Sequence, residues 1–109
     1  MGLEKILSRF YRRDEFLMSS GKKIFVEVEL LKLATDKPEF PQGFKFKWLA
    51  FNRDKPAEKV LFDNHKDKKP HYHDNGKEAF FTWKSRKDTQ QMFYQAIIKK
   101  WGNFIKKID

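Results

Sequence analysis

The sequence predicts an α+β domain: an antiparallel meander of about five β-strands packed against a C-terminal α-helix, with a short helix at the N-terminus. Three observations predict it. Apolar and other residues alternate with a period of two through residues 24–31 and again through residues 44–51, the pattern of half-buried strands. Ser20-Gly21 and Asn75-Gly76 are hairpin turn signals, because glycine and asparagine tolerate positive φ. Near the C-terminus the apolar residues recur instead at helical spacing.

The N-terminal helix rests on Leu3, Ile6, Leu7 and Phe10, whose spacing fits residues 3–13 with Arg12 and Arg13 in the last turn, where the helix dipole favours cations. A free arm would have the same composition. Residues 15–19 and 22–33 then flank the Ser20-Gly21 turn. Within the second segment Ile24, Val26, Val28 and Leu30 share one face, and Phe25, Glu27, Glu29 and Leu31 the other. Residues 34–43 hold Pro38, Pro41 and Gly43 and read as a loop.

In residues 44–51, Phe44, Phe46, Trp48 and Ala50 point one way, and Lys45, Lys47, Leu49 and Phe51 the other. A turn over residues 52–58, containing Pro56, leads into a strand at 59–63. His71–His73 begins a hairpin through Asn75-Gly76, and residues 78–83 return. Ser85-Arg86-Lys87-Asp88 resembles a capping box with Asp in the acidic position. Met92, Phe93, Ala96, Ile97, Trp101, Phe104 and Ile105 then form the stripe of a helix that can cover a sheet.

With 109 residues the chain makes one domain, residues 1–109, with no room for a second core. Its 12 phenylalanines can fill a small core with rings. Cysteine is absent, which excludes disulfides, thiolate metal sites and cysteine nucleophiles and is compatible with a reducing compartment. No signal peptide or membrane-spanning run is visible, so a cytoplasmic location is expected. The formal net charge of +9 calls for a polyanionic partner: nucleic acid first, then an acidic protein or an anionic membrane surface.

All three histidines fall between Val60 and Trp83, as His65, His71 and His73, together with Asp63-Asn64, Asp74-Asn75 and the basic residues Lys66, Lys68 and Lys69. Histidine alone has an unperturbed pKa that lets it give and take protons near neutral pH. His71 and His73 are two apart on a strand, so their side chains leave the same face. With His65 or Asp63 they could bind a metal in an open three-ligand site, although the adjacent lysines oppose a cation.

The reading that suits the local basicity better is metal-independent acid–base cleavage of RNA, with no cofactor. His71 and His73 would be base and acid, and Lys66, Lys68 or Lys69 would stabilise charge. His65 and Asp63 would orient or assist. Lys45, Lys47, Lys66, Lys68 and Trp48 would contact RNA through phosphates and stacking. The plain alternative is that the lysines are solvated and the histidines belong to a wet surface. No phosphate-cradling glycine loop, Gly-x-Ser-x-Gly or His-Glu-x-x-His is present.

The run Val60-Leu-Phe-Asp-Asn-His-Lys, the basic loop, His71-Tyr-His73 and Phe80-Phe-Thr-Trp-Lys-Ser followed by a final helix resembles the TumE-like toxins of bacterial type II toxin–antitoxin modules. The likeness runs over roughly residues 22–105 in the order of elements. Its motif lies in residues 63–73, carried by Asp63, Asn64, His65, His71 and His73. Where that family is expected to have glycine before His-x-His, this chain has Lys68-Lys69-Pro70.

The resemblance implies a growth-inhibiting toxin acting on RNA and neutralised by a helix-turn-helix antitoxin encoded beside it. The expected function is therefore an endoribonuclease that cleaves mRNA, free or on the ribosome. A basic module that blocks a nucleic-acid or ribosomal site without cutting is the alternative, and a metal-dependent nuclease on the His-x-His pair the third. Self-association into a homodimer is left open.

Overall fold

The computed structural model describes residues 5–109. The described residues are α+β, with one antiparallel sheet and one α-helix. The described residues form the strands β1 (Ile6–Met18), β2 (Lys23–Leu33), β3 (Phe44–Asn52), β4 (Lys55–His65), β5 (Lys68–Asp74), β6 (Lys77–Phe80) and β7 (Phe104–Ile108), with α1 (Arg86–Trp101) preceding β7. Their order is β6-β5-β4-β3-β2-β1-β7. The first six strands are a meander, and β7 adds to the outer side of β1. No helix among the described residues is long and apolar enough to cross a membrane.

Among the described residues the sheet has seven strands rather than about five, and the additions, from the two ends of the chain, lie together at one edge of it. The expected N-terminal helix is a strand from Ile6 onward, while Leu3 lies outside the described residues. An isolated helix of two or three turns is marginal in water, whereas β2 offers a full edge of backbone groups and pairs with β1 from Ile6↔Leu33 to Leu17↔Lys23. Cross-strand contacts reinforce the choice: Arg9 meets Glu29 at 2.9 Å and the Arg13 guanidinium lies 4.7 Å from the centre of the Phe25 ring.

At the other end α1 stops at Trp101. Gly102 has φ +83° and bonds back to the Ile98 carbonyl at 2.8 Å. Phe104 and Ile105, expected on the helix, instead start β7, which pairs with residues Glu15 to Met18 of β1. A Cβ at Gly102 would stand 2.1 Å from the Ser19 hydroxyl, so only glycine fits this crossing. The expected return strand 78–83 is confined to Lys77–Phe80, and the expected turn 52–58 tightens to Arg53-Asp54, with Pro56 inside β4.

The two faces of the sheet differ. On one, Ile24, Val26, Phe46, Trp48, Ala50, Val60 and Phe62 pack against Phe93, Ile97 and Trp101 of α1. Ser85 caps the helix by accepting from the Asp88 N–H at 3.0 Å. Trp48 is 2% exposed and lies 4.9 Å from Phe46, ring centre to ring centre. It belongs to the core and not to the RNA-stacking surface expected of it, because period-two alternation sends it opposite to Lys45 and Lys47.

Glu58 ties β4 to the end of this core by accepting from the Trp101 indole N–H and, at 3.4 Å, from Asn52 Nδ2. The Trp101 bond, with a smaller contribution from Asn52, holds the Glu58 carboxyl below its ordinary range against desolvation. Since the folded pKa is the lower one, the carboxylate's stabilisation is present above the unfolded value of about 4.3. It is lost as pH falls through the folded value. Glu58→Ala is expected to cost about 1–3 kcal/mol at neutral pH by leaving a buried indole N–H unpaired. Urea melts of both proteins at pH 7 and pH 3 should show the gap narrowing in acid; an equal gap at both pH values would contradict the linkage.

Candidate functional site

The helix-free face carries the histidines. Strand registers set two rows of side chains across it. One runs Tyr11, Glu29, Lys47, Asp63, His71, Phe80; the next runs Arg13, Glu27, Leu49, Leu61, His73, Glu78. Members of a row are directly opposed on neighbouring strands, the spacing at which cross-strand side chains interact. Lys47 thus stands beside Asp63, and Asp63 beside His71.

One irregularity in the β4–β5 pairing makes this possible. At the turn His65 is opposite Lys68, which would set Asp63 opposite Pro70, but the register shifts and Asp63 faces His71. The extra residue is a bulge on β5 at Lys69-Pro70. Proline has no N–H for the ladder and is at home in such a position, and bulges re-aim side chains. The Lys68-Lys69-Pro70 segment, which departs from the glycine expected there, therefore sets the register of the histidines.

His71 is 1% exposed and roofed by its own face. Ring centres lie at 5.0 Å for His73, 5.8 Å for His65 and 5.6 Å for Phe80. Its Nδ1 is 2.8 Å from the Lys69 carbonyl oxygen, which accepts its proton. Its Nε2 lies 2.8 Å from Asp63 Oδ1. That contact is short, yet the buried Oδ1 has no hydrogen-bond partner among the described residues.

His73 is half-buried, with Nε2 at 3.6 Å from Glu78 Oε2, beyond hydrogen-bond range. Lys68 donates to the same Glu78 oxygen at 2.9 Å. That bond leads in holding the Glu78 carboxyl below its ordinary range, opposed by desolvation.

The sequence-predicted residues thus divide. Asp63, His71 and His73 come together, with His65 exposed at the edge of the cluster. Lys45 and Lys47 are exposed on the same face. His71, expected to exchange protons with RNA, is 1% exposed and too buried for direct contact with a substrate. Lys69 contributes its backbone carbonyl, Lys68 is tied to Glu78, and Lys66 sits in the exposed turn.

Asn64, one of the motif positions, points to the helix side and is 2% exposed. Its Oδ1 accepts from the Phe46 N–H at 2.9 Å, and its Nδ2 donates to the carbonyls of Glu39 at 2.7 Å and Phe44 at 2.9 Å. It is a brace, not a reacting group. Glu78 and Phe80 were missed. The two-residue Asn75-Gly76 turn was the available signal, because it forces Asp74 opposite Lys77 and hence His73 opposite Glu78 and His71 opposite Phe80.

No family model, curated protein or solved structure matches the chain.

Proposed function

We propose that the protein is an endoribonuclease of the toxin kind that the TumE-like resemblance implies, cutting RNA laid across the helix-free face. One observation carries the reading. Two accessible histidines, His73 and His65, flank the buried and anchored His71 on a sheet face that also presents Lys45 and Lys47. In the reaction the RNA 2′-OH gives its proton to one imidazole as the 2′-oxygen bonds to the adjacent phosphorus. The bond from phosphorus to the 5′-oxygen breaks, and that oxygen takes a proton from the second imidazole. The products are a 2′,3′-cyclic phosphate and a 5′-hydroxyl. Lysines beside the phosphate offset the charge that develops on its oxygens, and His71 with Asp63 fixes the spacing of the groups that act.

The test is incubation of purified protein with bulk mRNA and mapping of fragment ends. Cyclic phosphate ends that depend on His73 support the reading. Binding without cleavage moves the weight to a module that blocks its target. In either case the lysines make phosphate contacts, so Lys45→Ala/Lys47→Ala is expected to reduce the magnitude of the slope of log K against log salt by about 2. A slope unchanged in filter-binding titrations would place the RNA elsewhere.

The helix-turn-helix antitoxin implied by the same resemblance would be an acidic partner for a chain of +9. Among the described residues, the outer edge of β1 is paired only from Glu15 to Met18. The preceding stretch offers backbone groups to which an antitoxin strand or a second copy of the chain can add.

A further inference from the structure

We propose that Asp63, His71 and His73 form a binding site for one divalent transition-metal ion, of the two-histidine, one-carboxylate kind. One donor atom from each lies within 4.8 Å of the other two, with His71 buried and the others partly so. As a route to RNA cleavage the proposal rests on the function above; as a cation site it stands on geometry alone.

His71 Nδ1 donates to the Lys69 carbonyl at 2.8 Å, which anchors the ring with Nε2 toward Asp63. This is the outer-shell bond that metal-ligating histidines make with their second nitrogen. Nε2 faces the Asp63 carboxylate oxygen at 2.8 Å, so two potential ligand atoms are held close together. Oδ1 is buried and has no hydrogen-bond partner among the described residues.

An ion fits the geometry observed. For donor–metal bonds of about 2.1 Å, two donors 2.8 Å apart subtend about 85° at the metal. That is near the right angle between neighbouring ligands of an octahedral ion, and each donor is then off the other's axis. The half-exposed His73 closes from the open side as the third ligand, and water fills the remaining positions. Two imidazoles and a carboxylate with open positions suit Fe, Mn, Co, Ni or Zn rather than Mg or Ca.

The lysines that count against a cation in the sequence are partly neutralised in the fold: Lys68 is bonded to Glu78, and the Lys69 carbonyl, not its ammonium, meets His71. A bound ion would supply positive charge beside the phosphate and lower the pKa of a water bound to it.

Protein stripped with EDTA and dialysed should be titrated with Co²⁺ and Zn²⁺, reading calorimetric stoichiometry and the visible absorption of bound Co²⁺. The expected result is one ion per chain, with affinity reduced by at least about 100-fold in Asp63→Asn and His73→Ala and unchanged in His65→Ala. His73→Ala alters a partly exposed strand position and keeps the test informative if Asp63→Asn folds poorly.

No saturable binding, or binding indifferent to both substitutions, would overturn the site. One-to-one binding that depends on these residues in a protein that cuts no RNA would uphold the site and sink the nuclease reading. RNA cleavage by a wild-type protein that binds no ion would do the reverse.

Discussion

RNA cleavage by His73→Ala is expected to fall about 10²–10⁴-fold, the usual worth of a positioned proton-transfer group, with thermal stability close to that of the wild type. The stability half of the prediction comes from exposure. The His73 side chain is 31% exposed, and its neighbours keep their own partners without it: Glu78 its bond to Lys68, and His71 its bond to the Lys69 carbonyl. Truncation leaves no buried group unpaired.

His71→Ala is the uninformative variant. At 1% exposure it would open a cavity, orphan the Lys69 carbonyl and leave Asp63 without its neighbour, so lost activity could follow from lost structure. Cleavage assays paired with thermal melts of both variants separate the cases. Full activity in a well-folded His73→Ala protein would remove this residue from the chemistry, whether it acts as a base or as a ligand.

The second large effect is on folding. Asn64→Ala is expected to cost about 2–4 kcal/mol, since it withdraws hydrogen bonds from several backbone groups together and each group left buried and unpaired costs about 1–3 kcal/mol. These are the Phe46 N–H and the carbonyls of Glu39 and Phe44. Together they hold the 34–43 loop and the start of β3 onto β4, next to the buried Phe40.

Asn64→Asp should be worse at neutral pH, because a carboxylate oxygen replaces the amide donor opposite two carbonyls. Urea denaturation gives the measurement. A change below about 0.5 kcal/mol, ordinary for a surface substitution, would show that the loop is held by something else. This side chain also explains part of the Asp-Asn pair: the two residues face opposite sides of the strand, one toward the histidines and one toward the loop.

Much of the fold was legible because its signals are local. The alternation through Ile24–Leu30 and Phe44–Ala50 sorts side chains to two faces without knowledge of any partner strand. Ser85 and Asp88 mark the helix start, and Asn75-Gly76 the last hairpin, through backbone conformations that only some residues adopt. The site was legible as a set of residue types, since His71 and His73 share a strand face by parity alone.

The misses are non-local. Phe10 fits a helical stripe as well as a strand, and the open edge of β2 decides between them. Phe104 and Ile105 continue the helical spacing, but Gly102 against Ser19 ends the helix, a contact between residues far apart in the chain. Trp48 reads as an aromatic beside lysines until the helix is seen to cover its face.

By itself, then, the amino-acid order determined the α+β class, the hairpins, the capped helix, the division of the sheet into an apolar and a charged face, and the gathering of the histidines near one turn. These follow from periodicity and turn stereochemistry, which act over a few residues. Tertiary structure alone decided that residues 6–13 extend β1 instead of forming a helix, that β7 is a strand, that His71 is buried and anchored, and that Asp63 rather than His65 stands directly against it. The last depends on a one-residue slip in the β4–β5 register at Lys69-Pro70. Because side chains alternate along a strand, a slip of one residue decides which of them meet across it.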